Sequence, residues 1–234
     1  MKNNAKILTF LFFLSSICFA QKDDFIELPV PSLDGTESLE KVLSKRRSIR
    51  KYSEDSLSLS EISQILWAAQ GITQKNEETP SIRLSEHRTA PSAGALYPIE
   101  LYIAVARVSG LSLGLYQYNP QQHAMIKVLV GDRRADISNA ALKQSAIKKA
   151  AVNIIITGVY NRTAKKYGKR AERYVQIESG AVCQNIYLQS YALGLGTVYI
   201  GAFKDDSLKA TLNIPEEEYP LGIMPIGKII KEKE

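Results

Sequence analysis

The hydrophobic positions of this chain change rhythm several times, and each change marks an element. Between 38 and 47, Leu39, Val42 and Leu43 share one face of a short helix. Ser58-x-x-Glu61 is a capping box, the stripe Ile62, Ile65, Leu66 and Ala69 follows it, and Gly71 supplies the stop of a second helix. Residues 72–90 are polar and read as a mobile stretch. From 99 to 107 the pattern alternates, with Leu101, Ile103 and Val105 on one side of a strand. Apolar runs at 115–118 and 125–130 flank Asn119-Pro120-Gln121-Gln122 as in a hairpin. Residues 133–149 return to helical spacing. The nearly unbroken β-branched run at 152–159 is expected of a strand covered on both faces. The longest helical pattern, 170–193, ends at Gly194, which reads as its cap. Strands are expected at 197–203 and 221–230, with a short helix at 205–212 between them. The whole reads as an α+β fold, a small mixed sheet flanked by helices.

Ahead of this domain the pattern is different. Lys2 and Lys6 precede an apolar run at 7–19, and Ala20-Gln21 follows. Charge, apolar core and small-residue exit are the parts of a secretory signal peptide, so residues 1–20 are expected to be removed after Ala20 and the protein exported, periplasmic or secreted. The run is short for a membrane span. Retention as an anchor through Cys18 is the alternative, but Ile17 is a poor fit for the small residue such a site needs. Residues 21–37, with Pro29, Pro31 and Gly35, read as an extended lead-in, and residues 38–234 as the domain.

Length and composition narrow the class. The 234 residues suffice for one domain with a real core, and 45% hydrophobic with 23% charged residues is ordinary for a globular chain. Losing Lys2 and Lys6 would lower the net charge from +6 to +4, a balance that does not call for nucleic acid. It would also leave Cys183 as the single cysteine, so no internal disulfide is expected, and its helical setting suggests a small buried hydrophobe. With only His87 and His123 and no zinc-ligand spacing, no metal site is expected.

Candidate chemistry begins at Arg46-Arg47-Ser48-Ile49-Arg50-Lys51-Tyr52, where four cations and a hydroxyl gather at a helix end. Planar donor forks, positive charge and a hydroxyl are what hold a phosphate. Three later segments join it: Ala90-Pro91-Ser92-Ala93-Gly94-Ala95-Leu96-Tyr97-Pro98, the stretch from Leu193 to Phe203, and Met224-Pro225-Ile226-Gly227-Lys228. In that order the four segments resemble the FMN-dependent nitroreductase family over roughly residues 39–230. The resemblance is closest to the branch of the SagB/ThcOx-type dehydrogenases, which also share stretches like Gly114 to His123, Lys166-Tyr167-Gly168 with Arg173-Tyr174, and Gln184-Asn185.

The resemblance implies roles residue by residue. Arg46, Arg47, Ser48 and Arg50 match the motif that holds the FMN phosphate and ribityl chain. Pro91, Ser92, Ala93 and Gly94 match the segment that a partner subunit lays against the flavin, so a homodimer is implied. Gly201 and Ala202 match the strand end whose backbone N–H reaches the hydride-accepting nitrogen, where a fixed donor stabilises incoming electron density. Lys166 and Tyr167 match a pair implicated in substrate deprotonation in azoline-oxidising members, which would make them catalytic. Tyr97 and Tyr199 would border the substrate space. Two departures stand out: many relatives have Gly-His where this chain has Gly180-Ala181, and the chain stops six residues after Lys228, leaving Lys228 or Lys231 as its last basic contacts. FMN rather than FAD is implied, because the cluster suits one phosphate and no dinucleotide glycine fingerprint accompanies it. The expected activity is ping-pong, two-electron oxidoreduction of a small organic substrate. An azoline-oxidase-like peptide dehydrogenase and an exported flavin- or small-molecule-binding protein without turnover are the alternatives.

Overall fold

The computed structural model describes residues 24–75 and 86–230. The expected signal segment and Lys231 lie outside the described residues. Nine strands are described: β1 Phe25–Glu27, β2 Ile72–Lys75, β3 Glu86–Arg88, β4 Ile99–Val105, β5 Gly114–Asn119, β6 Ala124–Val130, β7 Val152–Gly158, β8 Leu195–Thr197 and β9 Tyr219–Lys228. The helices are α1 Leu39–Lys45, α2 Leu59–Gln70, α3 Arg134–Ala140, α4 Ser145–Lys149, α5 Tyr160–Tyr167, α6 Ala171–Ala192 and α7 Asp205–Leu212.

Seven strands form one sheet in the order β1-β6-β5-β4-β7-β9-β8, and β2 pairs with β3 in a separate ribbon. Every strand pair is antiparallel, which corrects the expectation of a small mixed sheet. Short loops join β4 to β5 and β5 to β6, and a short loop can only reverse the chain. Within the described part of the lead-in, Phe25–Glu27 adds an edge strand, with Ile26 opposite Met125.

Helices cover both faces of the sheet, which is why β7 is buried at every position. One core joins Leu101, Ile103, Val152, Ile154 and Ile156 to Ile62, Ile65 and Leu66 of α2 and Val175, Val182 and Ile186 of α6. The other joins Tyr102, Ala104 and Ile155 to Ile137 of α3, Ile147 of α4 and Leu208 and Leu212 of α7. No helix among the described residues is long and apolar enough to cross a membrane.

The local signals fare unevenly. The Ser58 capping box forms in both directions, Glu61 N–H to Ser58 Oγ at 3.2 Å and Ser58 N–H to Glu61 Oε2 at 2.7 Å. Gly71 ends α2, yet its φ is −66°, and a Cβ there would lie 2.2 Å from Trp67 Cδ1, so close approach rather than backbone freedom calls for glycine. Gly194 caps α6 with φ +70° and its N–H on Tyr191 O. The helical pattern at 133–149 is broken into α3 and α4 where Leu142 and Lys143 take φ of 55° and 60°. The strand expected at 197–203 stops at Thr197, and beyond it only Ile200 bridges to Ile223. In α1 only Val42 is buried, whereas Leu39 and Leu43 of the same stripe are 58% and 50% exposed. Helix α5 was not signalled by the pattern, because Tyr160, Ala164 and Tyr167 are too few to make an apolar stripe.

Candidate functional site

The basic motif runs along the edge of the sheet where β8 meets β9. Ile49 N–H donates to Thr197 O at 2.8 Å, and Ser53 N–H to Lys228 O at 2.9 Å. Glycine makes this approach possible: a Cβ on Gly196 would lie 2.7 Å from Ile49, and one on Gly227 would lie 2.8 Å from Tyr52. The buried Tyr52 hydroxyl donates toward Ile49 O at 2.7 Å, and burial holds it protonated by raising its pKa. Beyond this anchor the cations differ. Arg46 is half-buried with its guanidinium 5.1 Å from the Tyr187 ring centroid. Arg47 turns back to Ser44 O at 3.1 Å and Arg46 O at 2.8 Å. Arg50 is exposed and makes no described side-chain hydrogen bond or ion pair.

A chain of hydrogen bonds ties this cluster to the segment after β8. Ser48 Oγ lies 3.0 Å from Tyr187 Oη, which accepts the Tyr199 N–H at 2.7 Å. When Tyr187 donates to Ser48, the Ser48 proton is left to point outward, toward an anion. Tyr199 then lies over Gly222, where a Cβ would fall 2.2 Å from the ring, and its hydroxyl donates to Leu221 O at 2.6 Å. Gly201 and Ala202 follow it and are exposed. The predicted Lys228 is engaged elsewhere, its Nζ 2.5 Å from Glu61 Oε1. Burial of Glu61 opposes ionisation, but Lys228 and the Ser58 donors outweigh it and lower the Glu61 pKa.

A second group forms at the other end of α6. Pro91–Gly94 leads into a turn in which Gly94, Ala95 and Tyr97 have φ of 67°, 53° and 44°. Two of these carry side chains, at about 1–2 kcal/mol of strain each. Ala93 N–H donates to Glu178 Oε1 at 2.8 Å, and Arg162 donates to Tyr97 O at 2.5 Å and to Glu100 Oε1 at 2.6 Å. A Cβ on Gly94 would lie 2.8 Å from both Lys166 Nζ and Tyr167 Oη, so the predicted catalytic pair and the predicted flavin-facing loop meet within one chain. Lys166 is exposed, with its Nζ 5.3 Å from the Tyr167 ring centroid, and Tyr167 packs edge-on against Tyr174.

These two groups are separate in the described chain, and α6 carries both. Glu178 and Tyr187 are nine residues apart, roughly 14 Å along the helix axis. A family model for the nitroreductase family matches residues 43–228, which include both groups. The chain belongs to the nitroreductase family. A candidate nitroreductase of Methanocaldococcus jannaschii is 42% identical over 208 residues, covering 89% of this chain and 99% of that protein. The crystal structure of a candidate nitroreductase from Ralstonia eutropha superposes with a TM-score of 0.75 at 27% identity, covering 89% of this chain and 91% of that one. The NADPH:FMN oxidoreductase of Vibrio harveyi, complexed with NAD+, shares the fold at a TM-score of 0.57 and 19% identity, over 82% of this chain and 69% of its own.

Within this nitroreductase-family fold, the donors of the first group suit a phosphate: two arginines with unspent donors, a hydroxyl free to point outward, and glycines that let the segment lie flat. Sequence reasoning missed Tyr187 and Glu178, because each acts through a contact made across the fold. It also missed that Arg162 belongs to the loop at Tyr97. Cys183 is buried in α6 as expected, and burial pushes its thiol up to about 12, which keeps it an inert hydrophobe. Among the described residues, no group of three or more His, Cys, Asp or Glu side chains is placed to hold a metal.

Proposed function

We propose that this nitroreductase-family protein is an exported, FMN-dependent oxidoreductase that works as a homodimer. The observation that carries the proposal is the chain Ser48–Tyr187–Tyr199, which couples a phosphate-suited cluster to the segment that leads into Gly201–Ala202. Arg46, Arg50 and Ser48 would bind the phosphate, and the backbone at Gly201–Ala202 would face the ring. Flavin, when bound, supplies two-electron chemistry, taking electrons from one substrate and passing them to another in ping-pong order. The protein binds and orients it, and Lys166 Nζ, as the neutral amine, would take the proton that a C–H substrate gives up. FMN is favoured over FAD because the cluster suits a single phosphate and no dinucleotide fingerprint is present.

The dimer is supported by what one chain leaves open. Leu39 and Leu43 of α1, which packs on α6, and Ile177 of α6, 64% exposed, place apolar side chains on the surface. The Pro91–Gly94 loop sits with the group about 14 Å away from Tyr187 on α6, so the partner's copy is the natural cover for the flavin. Export rests on the charge and apolar pattern of residues 1–20.

The test is direct. Purified mature protein should show flavin absorption near one equivalent per chain, released by heat as FMN, and light scattering should give about twice the mature mass. Recovery of FAD, or a flavin-bearing monomer, would refute those parts. Bound flavin that no reductant or acceptor exchanges electrons with would make it a carrier rather than an enzyme.

A further inference from the structure

We infer that Glu178 is a positioning residue that holds the Ser92–Tyr97 loop in its flavin-facing shape by accepting the Ala93 N–H, an inference that rests on the reading of that loop as the flavin's cover. Three of four successive residues here, Gly94, Ala95 and Tyr97, occupy the left-handed region, and such a conformation persists only when its surroundings over-determine it. The holds at the C-terminal end are several. Tyr97 O accepts from Arg162, the Tyr97 hydroxyl donates to Glu86 O at 3.2 Å, and the Arg88 guanidinium lies 4.4 Å from the ring centroid. Inside the loop, Tyr97 N–H donates to Ser92 Oγ at 2.8 Å and Ala95 N–H to Ser92 O at 3.1 Å. At the N-terminal end Glu178 ties the loop to α6, its Oε1 accepting the Ala93 N–H at 2.8 Å, and the Ser92 side chain also bonds to its carboxyl.

Glu178 is suited to that task. It is 6% exposed and lies within the 22-residue α6, the same rigid helix that carries Tyr187. Burial raises its pKa, so the site disfavours the charge that a carboxylate brings. What it needs is an acceptor, which a carboxyl provides in either protonation state and an amide provides equally. A loop released at Ala93 would also carry Gly94 away from Lys166 and Tyr167, which approach it closely.

Glu178→Ala and Glu178→Gln separate an acceptor from a structural carboxylate. In the flavin-free, full-length protein, hydrogen exchange at residues 93–95 should quicken about tenfold or more in Glu178→Ala and match the parent in Glu178→Gln. FMN affinity should weaken about tenfold in the first and stay within threefold in the second. Should Glu178→Ala not fold, Ala93→Pro deletes the same bond from the loop side. Ser92 is already extended, with φ −136° and ψ 135°, as a residue before proline prefers. Exchange at Gly94 and Ala95 then serves as the readout. Parent-like exchange in the Ala or Pro variant, or a Gln variant as impaired as Ala, would overturn the inference. Faster exchange with unchanged FMN affinity would also overturn it, since the loop would then be held for another purpose. If the parent itself binds no flavin, the functional proposal fails, while the exchange comparison still decides whether Glu178 holds the loop.

Discussion

Replacing Arg46 and Arg50 together by alanine tests the phosphate cluster where it is most exposed to failure. Arg46 has no described carboxylate partner and rests on the half-buried Tyr187 ring, and Arg50 is exposed without a described partner. Arg47 has already spent donors on Ser44 O and Arg46 O, so it is a poor substitute. A charge-assisted hydrogen bond contributes about 1.5–3 kcal/mol, and solvent screening at so open a place argues for the lower end. Two such contacts come to about 3 kcal/mol, close to a hundredfold in dissociation constant. The stacking lost with Arg46 is only about 0.5–1 kcal/mol, too little to unfold the domain. Flavin fluorescence titration should therefore show FMN affinity falling about a hundredfold in the double variant while the flavin-free protein melts near the parent. Riboflavin, which lacks the phosphate, should bind parent and variant alike. An FMN affinity within threefold of the parent, or an equal loss for riboflavin, would refute the assignment of the cluster to phosphate.

Other substitutions probe different links. Tyr187→Phe removes the acceptor of the Tyr199 N–H and the partner of Ser48, two bonds of about 0.5–1.5 kcal/mol each. It should lower the melting temperature and weaken riboflavin as well as FMN; unchanged binding of both would break the proposed coupling. Lys166→Ala should keep FMN bound and leave dithionite reduction unaltered, yet slow flavin reduction by a C–H substrate by about 10²–10⁴-fold. Equal rates with every such substrate would return Lys166 to ordinary surface. Glu218→Gln tests a buried carboxyl that accepts from Tyr102 Oη at 3.1 Å and Thr157 Oγ1 at 2.7 Å. Burial raises its folded-state pKa above the unfolded value, so the folded form binds the extra proton and stability falls as pH rises through that window. The glutamine variant should thus gain on the parent in thermal melts as pH rises from about 4.5 to neutrality. A difference that does not change with pH would refute that account.

What the sequence determined by itself are the features carried by near neighbours. The Ser58 capping box, the Gly194 cap, the doubly covered β7 and the buried Cys183 each follow from a few adjacent residues and one local rule, and each is found in the structure. The motifs legible in sequence, Arg46 to Arg50, Pro91 to Gly94, Lys166-Tyr167 and Gly201-Ala202, were legible as a set but not as an arrangement. Only the tertiary structure decided that Gly94 meets Lys166 in the same chain, and that Ser48 reaches Tyr199 through Tyr187. It alone engaged Lys228 with Glu61, left Leu39 and Leu43 uncovered, and made the sheet antiparallel throughout. These facts depend on pairs far apart along the chain, whose meeting is set by how helices and strands pack rather than by any local spacing. Tyr187 and Glu178 show the difference most plainly. A tyrosine and a glutamate on one long helix have no distinguishing pattern, and each gains its role from a backbone N–H that folding brings to it.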